Sequence, residues 1–261
     1  MTRDIRTLLA TAALGALVAA PSSAWAAAPW VERHLTLPAS DWALDFGLGL
    51  GHVPFDSGAG INAEMTVGLT SRIELGARTG LVFGDAAERS IRADEYGCLF
   101  ECQTFDDGNA VVASPQVRLR GALVRDDVAE VALEGRVVLP HTGTDAGLLF
   151  GVPLEFHLGD YVRLDTGAYV PVILGHGTPF AVSLPVEVWF QATRRFWLGP
   201  MSGLVFTNPL RDGSASDVSL GLGLGYQVTH ALDFKGMLLF PAVNQDSRVF
   251  GAGAGIQVRI E

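Results

Sequence analysis

The sequence predicts an all-β fold, a closed antiparallel β-barrel of about 12 strands, on three observations. Glycine supplies 31 of 261 residues, which disfavours a helical bundle, since each interior glycine destabilises a helix by about 1 kcal/mol. Large apolar residues alternate with small or polar ones along the chain, which is the period of a strand with one apolar face. The alternating segments run about 9 to 13 residues, whereas strands of soluble proteins cluster near five or six.

Composition also limits the class of protein. Hydrophobic residues make up 49% and charged residues 18% of the chain, so a disordered chain is excluded. The formal net charge of −10 argues against a nucleic-acid partner, because binding to phosphates requires a basic face.

The first 26 residues have the zones of a secretory signal peptide. Arg3 and Arg6 precede an apolar run over 8–20, and small residues precede a predicted cleavage after Ala26. The run is shorter than the roughly 20 residues of a spanning helix, which disfavours an uncleaved anchor. We therefore predict three parts: a signal peptide, a short periplasmic segment and an outer-membrane barrel. Their bounds are 1–26, 27–41 and 42–261.

Twelve segments carry the alternation, and each is justified by the same pattern. In 42–50 every even residue is large and apolar, while the odd residues are small or charged. Near the other end, apolar residues of 249–260 alternate with glycines and then with Gln257 and Arg259. The predicted strands are 42–50, 60–69, 73–83, 110–124, 129–139, 147–158, 162–173, 180–192, 196–206, 217–228, 232–240 and 249–260.

The connections and the aromatic residues indicate a membrane. Odd, three-residue connections keep the apolar faces of neighbouring strands in phase. The short connections are 70–72, 125–127, 159–161, 193–195 and 229–231. The other connections are mostly longer: 51–59, 84–109, 140–146, 174–179, 207–216 and 241–248. Outward aromatic residues fall at both strand ends, such as Phe150 beside the long loops and Trp42 beside the short turns. Two aromatic girdles and unequal loops are typical of outer-membrane barrels.

On these residues the chain resembles the bacterial outer-membrane β-barrel proteins as a class. It departs from them at its end, Arg259-Ile260-Glu261, because such barrels often finish on an aromatic residue. The resemblance implies a Gram-negative outer membrane, its lipids and the barrel-assembly machinery as partners. It leaves the oligomeric state open.

The inward-facing positions of the predicted strands are charged. Nine acids face seven bases, and this near balance predicts ion pairs that narrow the lumen rather than a charge-selective pore. Glu134 is expected to face either Arg120 or Arg118, depending on the register of its hairpin. The predicted lumen-lining residues are Asp45, Glu64, Glu74, Arg78, Arg118, Arg120, Glu130, Glu134, Arg136, Glu155, His157, Arg163, Asp165, Glu187, Asp233, Lys235 and Arg259.

Inward glycines gather on the first, tenth and twelfth strands. Closure of the barrel would place Gly47 and Gly49 beside Gly253 and Gly255. This seam would leave room for long arginines from the opposite wall or for the segment 29–39. Alternatively, the glycines only permit strong curvature of the sheet.

The loop 84–109 carries both cysteines and many acids. In an exported protein, Cys98 and Cys102 are expected to form a local disulfide rather than remain free thiols. The acids lack the spacing of an EF-hand, which favours a solvated loop over a calcium site. We predict no metal ligands and no cofactor.

Signals for catalysis are weak. The chain contains neither H-E-x-x-H nor G-x-S-x-G, and Ser202 is out of register for a nucleophile elbow. Glu155 and His157 share the inner face and could position a base. The sequence thus predicts a narrow passive channel for small solutes and not an enzyme. The alternatives are a non-conducting structural or surface-interaction barrel and, less favoured, a membrane-embedded hydrolase.

Overall fold

Twelve antiparallel strands form a closed barrel, in which every strand pairs with its neighbours in sequence and β1 pairs with β12. The computed structural model describes residues 28–53, 56–83, 112–140, 146–174, 181–207, 215–244, 248 and 250–261. The strands are β1 Trp42–Val53, β2 Asp56–Thr70, β3 Ile73–Phe83, β4 Val112–Arg125, β5 Ala129–Val138, β6 Gly147–His157, β7 Val162–Ile173, β8 Ala181–Gln191, β9 Phe196–Thr207, β10 Ala215–Thr229, β11 Leu232–Phe240 and β12 Phe250–Ile260. The predicted fold class and strand number are confirmed. The predicted signal peptide and both cysteines lie outside the described residues.

Burial in this barrel is the reverse of burial in a soluble protein. Glu130 and Glu155 are 0% exposed, while Leu48 on the outer face is 58% exposed and Phe150 is 56% exposed. Charged residues are almost never fully buried unless paired, and large exposed apolar surfaces mark contact with a membrane or partner. The outer face therefore suits lipid, as the alternation predicts. Within the described ranges, no helix has the length and hydropathy of a membrane span.

The short connections keep the strands in phase. Gly68 pairs with Glu74 across the β2–β3 turn, and Gln227 pairs with Asp233 across the β10–β11 turn, each followed by a bulge. These are the pairings expected of three-residue connections.

The β4–β5 turn is held by Asp126. Its Oδ1 accepts hydrogen bonds from the N–H groups of Ala129 (2.8 Å) and Val128 (2.9 Å), which lower the pKa of Asp126. Beyond a bulge in β4, Arg120 pairs with Glu134. The structure thus selects one of the two predicted registers.

The β1–β2 connection is shorter than the predicted loop 51–59, so the predicted bounds of that loop are wrong. β1 continues to Val53 and β2 begins at Asp56, with Gly51 paired to Gly58. Glycines form backbone hydrogen bonds in a strand but lack the side chains whose alternation reveals one. The pattern therefore ended before the strands did.

Residues 30–37 lie inside the barrel, at the end with the short turns, and residues 38–41 lead from there to β1. The part inside the barrel contains a short 3-10 helix, Trp30–Glu32, and Trp30 and Val31 are 5% and 1% exposed. Ser40 donates its N–H to the carbonyl of Gly68 at 2.8 Å, so the segment is anchored beside β2 before β1 begins. Most of the segment 29–39 is thus tucked inside the barrel, as one of the two alternatives has it, but it does not fill the space beside the glycine seam. The assignment of 27–41 to the periplasmic side of the membrane remains a prediction.

Candidate functional site

Trp30 anchors the N-terminal segment in the lumen. Its ring stacks on Trp197 of β9 at 5.0 Å between centroids, with an interplanar angle of 1°, and meets Trp189 of β8 edge-on at 6.3 Å. Two glycines of β10 leave space for these rings. A Cβ at Gly225 would lie 2.1 Å from the Trp197 ring, and one at Gly223 would lie 2.4 Å from Trp189. These glycines therefore accommodate an aromatic cluster, a role that the curvature argument does not require.

Cations surround the same indole. The guanidinium carbons of Arg33 and Arg163 lie 5.3 and 5.0 Å from the Trp30 ring centroid, and Lys235 Nζ lies 4.8 Å away. Cations within about 6 Å of a ring face are attracted by its quadrupole. Trp30 is thereby held by electrostatic attraction as well as by apolar contact.

Arginines of the wall bind carbonyl oxygens of the segment. Arg163 Nη1 donates to the carbonyls of Trp30 and Arg33, both at 3.2 Å. Arg120 Nη1 donates to the carbonyl of Leu35 at 2.9 Å. Buried backbone groups require such partners, and here side chains of the wall supply them.

Carboxylates of the wall bind N–H groups of the segment. Leu35 N donates to Glu130 Oε2 and Leu37 N donates to Glu74 Oε2, both at 3.0 Å. A backbone without regular structure is thus paired with both acids and bases of the barrel.

A buried ion pair joins the segment to β11. Arg33 Nη1 contacts Asp233 Oδ2, and Arg33 Nη2 donates to Asp233 Oδ1 at 3.2 Å. Both side chains are at most 5% exposed, so each charge depends on the other for compensation.

An ion-pair network covers the inner face of β2 to β5. Arg118 Nη2 lies 3.0 Å from Glu64 Oε1 and 3.2 Å from Glu74 Oε1. Arg120 Nη2 lies 2.7 Å from Glu134 Oε2 and its Nη1 lies 3.6 Å from Glu74 Oε1. These ion pairs join side chains along one wall of the barrel, and Glu74 and Arg120 also hold the segment. That ion pairs narrow the lumen remains a prediction.

A cluster of metal-ligand type lies where the segment meets β5 and β6. His34, Glu130 and His157 bring an imidazole nitrogen or carboxylate oxygen each within 4.8 Å of the others. His34 is 96 residues from Glu130, so no spacing in the sequence indicates this group. These residues could hold a metal ion, although the sequence predicted no metal ligands.

A cavity of about 160 Å³ remains beside the segment. Gly47, Gly253 and Gly255 form part of its wall, which places it along the predicted glycine seam. β1 and β12 pair there as expected, with Gly47 opposite Gly255 and Gly49 opposite Gly253. A cavity of this volume has room for several water molecules, since one requires roughly 10–15 Å³.

Comparison with solved structures identifies the fold. The chain superposes on the NanC porin with a TM-score of 0.58 at 10% identity, covering 82% of this chain and 98% of that one. An outer membrane channel from Pseudomonas putida F1 gives 0.55 at 10% identity, covering 86% and 97%. The KdgM porin gives 0.54 at 8% identity, covering 84% and 99%.

This chain has the fold of an outer-membrane β-barrel. No protein-family model and no curated protein sequence matches it, so the likeness is one of fold.

The outer-membrane barrel places the predicted lumen residues in two groups. Around the open cavity lie Asp45, Glu64, Glu74, Arg78, Arg118, Arg120, Arg136, Glu187, Lys235 and Arg259. In contacts with the segment or with other inner side chains lie Glu130, Glu134, Glu155, His157, Arg163, Asp165 and Asp233. Sequence reasoning missed the segment residues Trp30, Arg33 and His34 and the indoles of Trp189 and Trp197. Trp189 and Trp197 fall on the inner phase of their strands, and that position was the available signal.

The residues considered for hydrolysis lie apart. Ser202 pairs with Leu220, which is 50% exposed on the outer face, and its hydroxyl donates to the carbonyl of Ser219. His157 instead contacts Glu155 and the carbonyl of Val31 inside the barrel. The structure does not bring this serine and histidine together.

Proposed function

We propose that the protein is a passive channel for small polar solutes in a Gram-negative outer membrane, and that residues 28–41 narrow its lumen. The observation that carries this proposal is the cavity between the segment and the glycine seam. Side-chain contacts hold the segment in the lumen, and its chain continues into β1 at Trp42.

The cavity lining suggests the class of solute. Glu64 and Arg118 lie on one side, and Asp45 and Lys235 form a pair 3.5 Å apart on another. A lining with charges of both signs selects neither cations nor anions, whereas a ring of charges of one sign selects ions of the opposite sign. Small uncharged or zwitterionic solutes fit such a lining.

Single-channel recording in planar bilayers tests the proposal. The intact protein should give small conductance steps, and a variant lacking residues 28–36 should give larger ones. The variant must first show the heat-dependent gel migration of a closed barrel. Absence of conductance steps from both proteins would overturn the proposed channel function. Equal conductance would overturn the narrowing by the segment.

A charge substitution complements the deletion. Asp233→Asn keeps the size of the side chain but removes the charge that compensates Arg33. We expect more frequent or larger openings from this variant. Asp160→Asn is the matched control, because Asp160 is exposed in the β6–β7 turn.

The second candidate is a non-conducting structural barrel, and the burial of the segment in the lumen favours it. Trp30 is buried against two indoles, and Arg33 is buried against Asp233. If both proteins are silent while correctly folded, this function replaces the channel. In this hypothesis the barrel presents the loop 84–109 at the cell surface, and that loop lies outside the described residues.

A further inference from the structure

We propose that His34, Glu130 and His157 bind a divalent transition-metal ion of the Zn²⁺ type, which ties the N-terminal segment to the barrel wall. His34 belongs to the segment, Glu130 to β5 and His157 to the end of β6. Their donor atoms lie within 4.8 Å of one another. Two imidazoles and a carboxylate are a ligand set that Zn²⁺ takes in proteins.

The hydrogen bonding of His157 leaves one ring nitrogen for a cation. His157 Nδ1 lies 2.7 Å from the carbonyl oxygen of Val31, which only accepts, so Nδ1 carries a proton. His157 Nε2 faces two carboxylates, with Glu155 Oε1 at 3.0 Å and Glu130 Oε1 at 3.9 Å. Nε2 therefore requires either a second proton or a metal ion. A backbone carbonyl on the opposite nitrogen is the usual arrangement of a metal-binding histidine.

The two carboxylate oxygens of Glu130 have different roles, since one accepts a backbone hydrogen bond and the other faces the histidines. Oε2 accepts the N–H of Leu35 at 3.0 Å, which fixes the carboxylate. Oε1 contacts His34 Nδ1 and points between the two imidazoles. The carboxylate is 0% exposed, so a cation beside it would compensate a buried charge.

The cluster has a further carboxylate beside His157 and an entry path from the lumen. Glu155 Oε1 adjoins His157, while Glu155 Oε2 lies 3.2 Å from Arg163 Nε and is held by it. The His34 side chain is 40% exposed and lines the cavity, so an ion can reach the site from the lumen. Nitrogen ligands favour Zn²⁺, Co²⁺ or Ni²⁺ over Ca²⁺ and Mg²⁺, which prefer oxygen.

The bound ion would join the segment to two strands of the wall. Its effect on conductance rests on the proposed channel function, but metal binding itself does not. With the ion bound, residue 34 is fixed to β5 and β6, and the segment is retained in the narrowed lumen. Chelation removes this link and should raise the conductance.

Metal titration of the full-length protein in detergent is the primary test. The protein is made without a polyhistidine tag, stripped with a chelator and titrated with Co²⁺ by visible absorption and with Zn²⁺ by calorimetry. One equivalent of each should bind, and Ca²⁺ should not compete. Loss of one ligand should weaken binding by about tenfold or more, as loss even of an outer partner does.

The variants are chosen to separate ligand loss from misfolding. His34→Ala changes only the segment, and Glu130→Gln keeps the size of the side chain while removing its charge. Both should weaken binding, whereas His230→Ala, in the β10–β11 turn, should not. Absence of stoichiometric binding, or equal affinity of the intact protein and His34→Ala, would overturn the site. Metal binding by a silent barrel would support the site and overturn the channel alone.

Discussion

Glu134 offers the sharpest test of the ion-paired lumen. Its Oε2 accepts a hydrogen bond from Arg120 Nε at 2.8 Å, and its Oε1 accepts one from Arg136 Nη2 at 2.9 Å. The side chains of Glu134, Arg120 and Arg136 are 0%, 2% and 8% exposed. Glu134→Ala would therefore leave two buried guanidinium groups without their shared carboxylate.

The expected loss follows from that burial. Removing one member of a buried pair destabilises a protein by roughly 3–5 kcal/mol. Because Arg120 keeps a second carboxylate, Glu74 at 3.6 Å, we expect the lower part of this range, about 3 kcal/mol. That is a change of more than about a hundredfold in the unfolding equilibrium. Glu134→Gln should lower the free energy of unfolding by less, since its amide oxygen still accepts one hydrogen bond.

Urea unfolding in detergent, followed by tryptophan fluorescence, measures these differences. Asp160→Ala serves as the control, because an exposed turn residue should change the free energy of unfolding by no more than about 0.5 kcal/mol. If Glu134→Ala is as stable as this control, the pair is solvated or absent, and the inward phase assigned to β4 and β5 is wrong.

Three further predictions concern packing, topology and location. Gly225→Ala should destabilise the barrel by about 1–3 kcal/mol and weaken the near-ultraviolet dichroism of the indole stack, because its Cβ would meet Trp197. Gly135→Ala is the control, since a Cβ there would have nothing within 4 Å. Equal stability of the two variants would refute the packing role of Gly225. Cys98 and Cys102 should resist an impermeant maleimide on intact cells until reduced, and labelling without reductant would show free thiols. The protein should require detergent and migrate differently on gels with and without boiling; solubility without detergent would contradict a lipid-facing wall.

The sequence determined the wall of this barrel well, because each wall residue faces either the outside or the lumen. Leu48 alternates with Gly47 and Gly49, and that local contrast is visible in any window of the chain. The contrast failed at 51–53 and 56–59, where the glycine-rich ends of β1 and β2 continue without it.

The contacts within the lumen could not be predicted in the same way. Arg33 and Asp233 are separated by 200 residues, and Leu35 and Glu130 by 95. No periodicity links such positions. The sequence indicated which charges face inward and that space was available, but the partners depend on how the segment enters the closed barrel.

The glycine seam bears on how this barrel closes and where it would first open. Three inward pairs of β1 and β12 are glycine on both sides, at 47 and 255, 49 and 253, and 51 and 251. They contribute no cross-strand side-chain contact, so the inner face of the junction is held there by backbone hydrogen bonds. Amide protons along this junction should exchange with solvent before those of β4 and β5, whose pairing is reinforced by buried ions. β12 thus meets β1 along a stretch that inner side chains do not reinforce, and this stretch is where the barrel would first part.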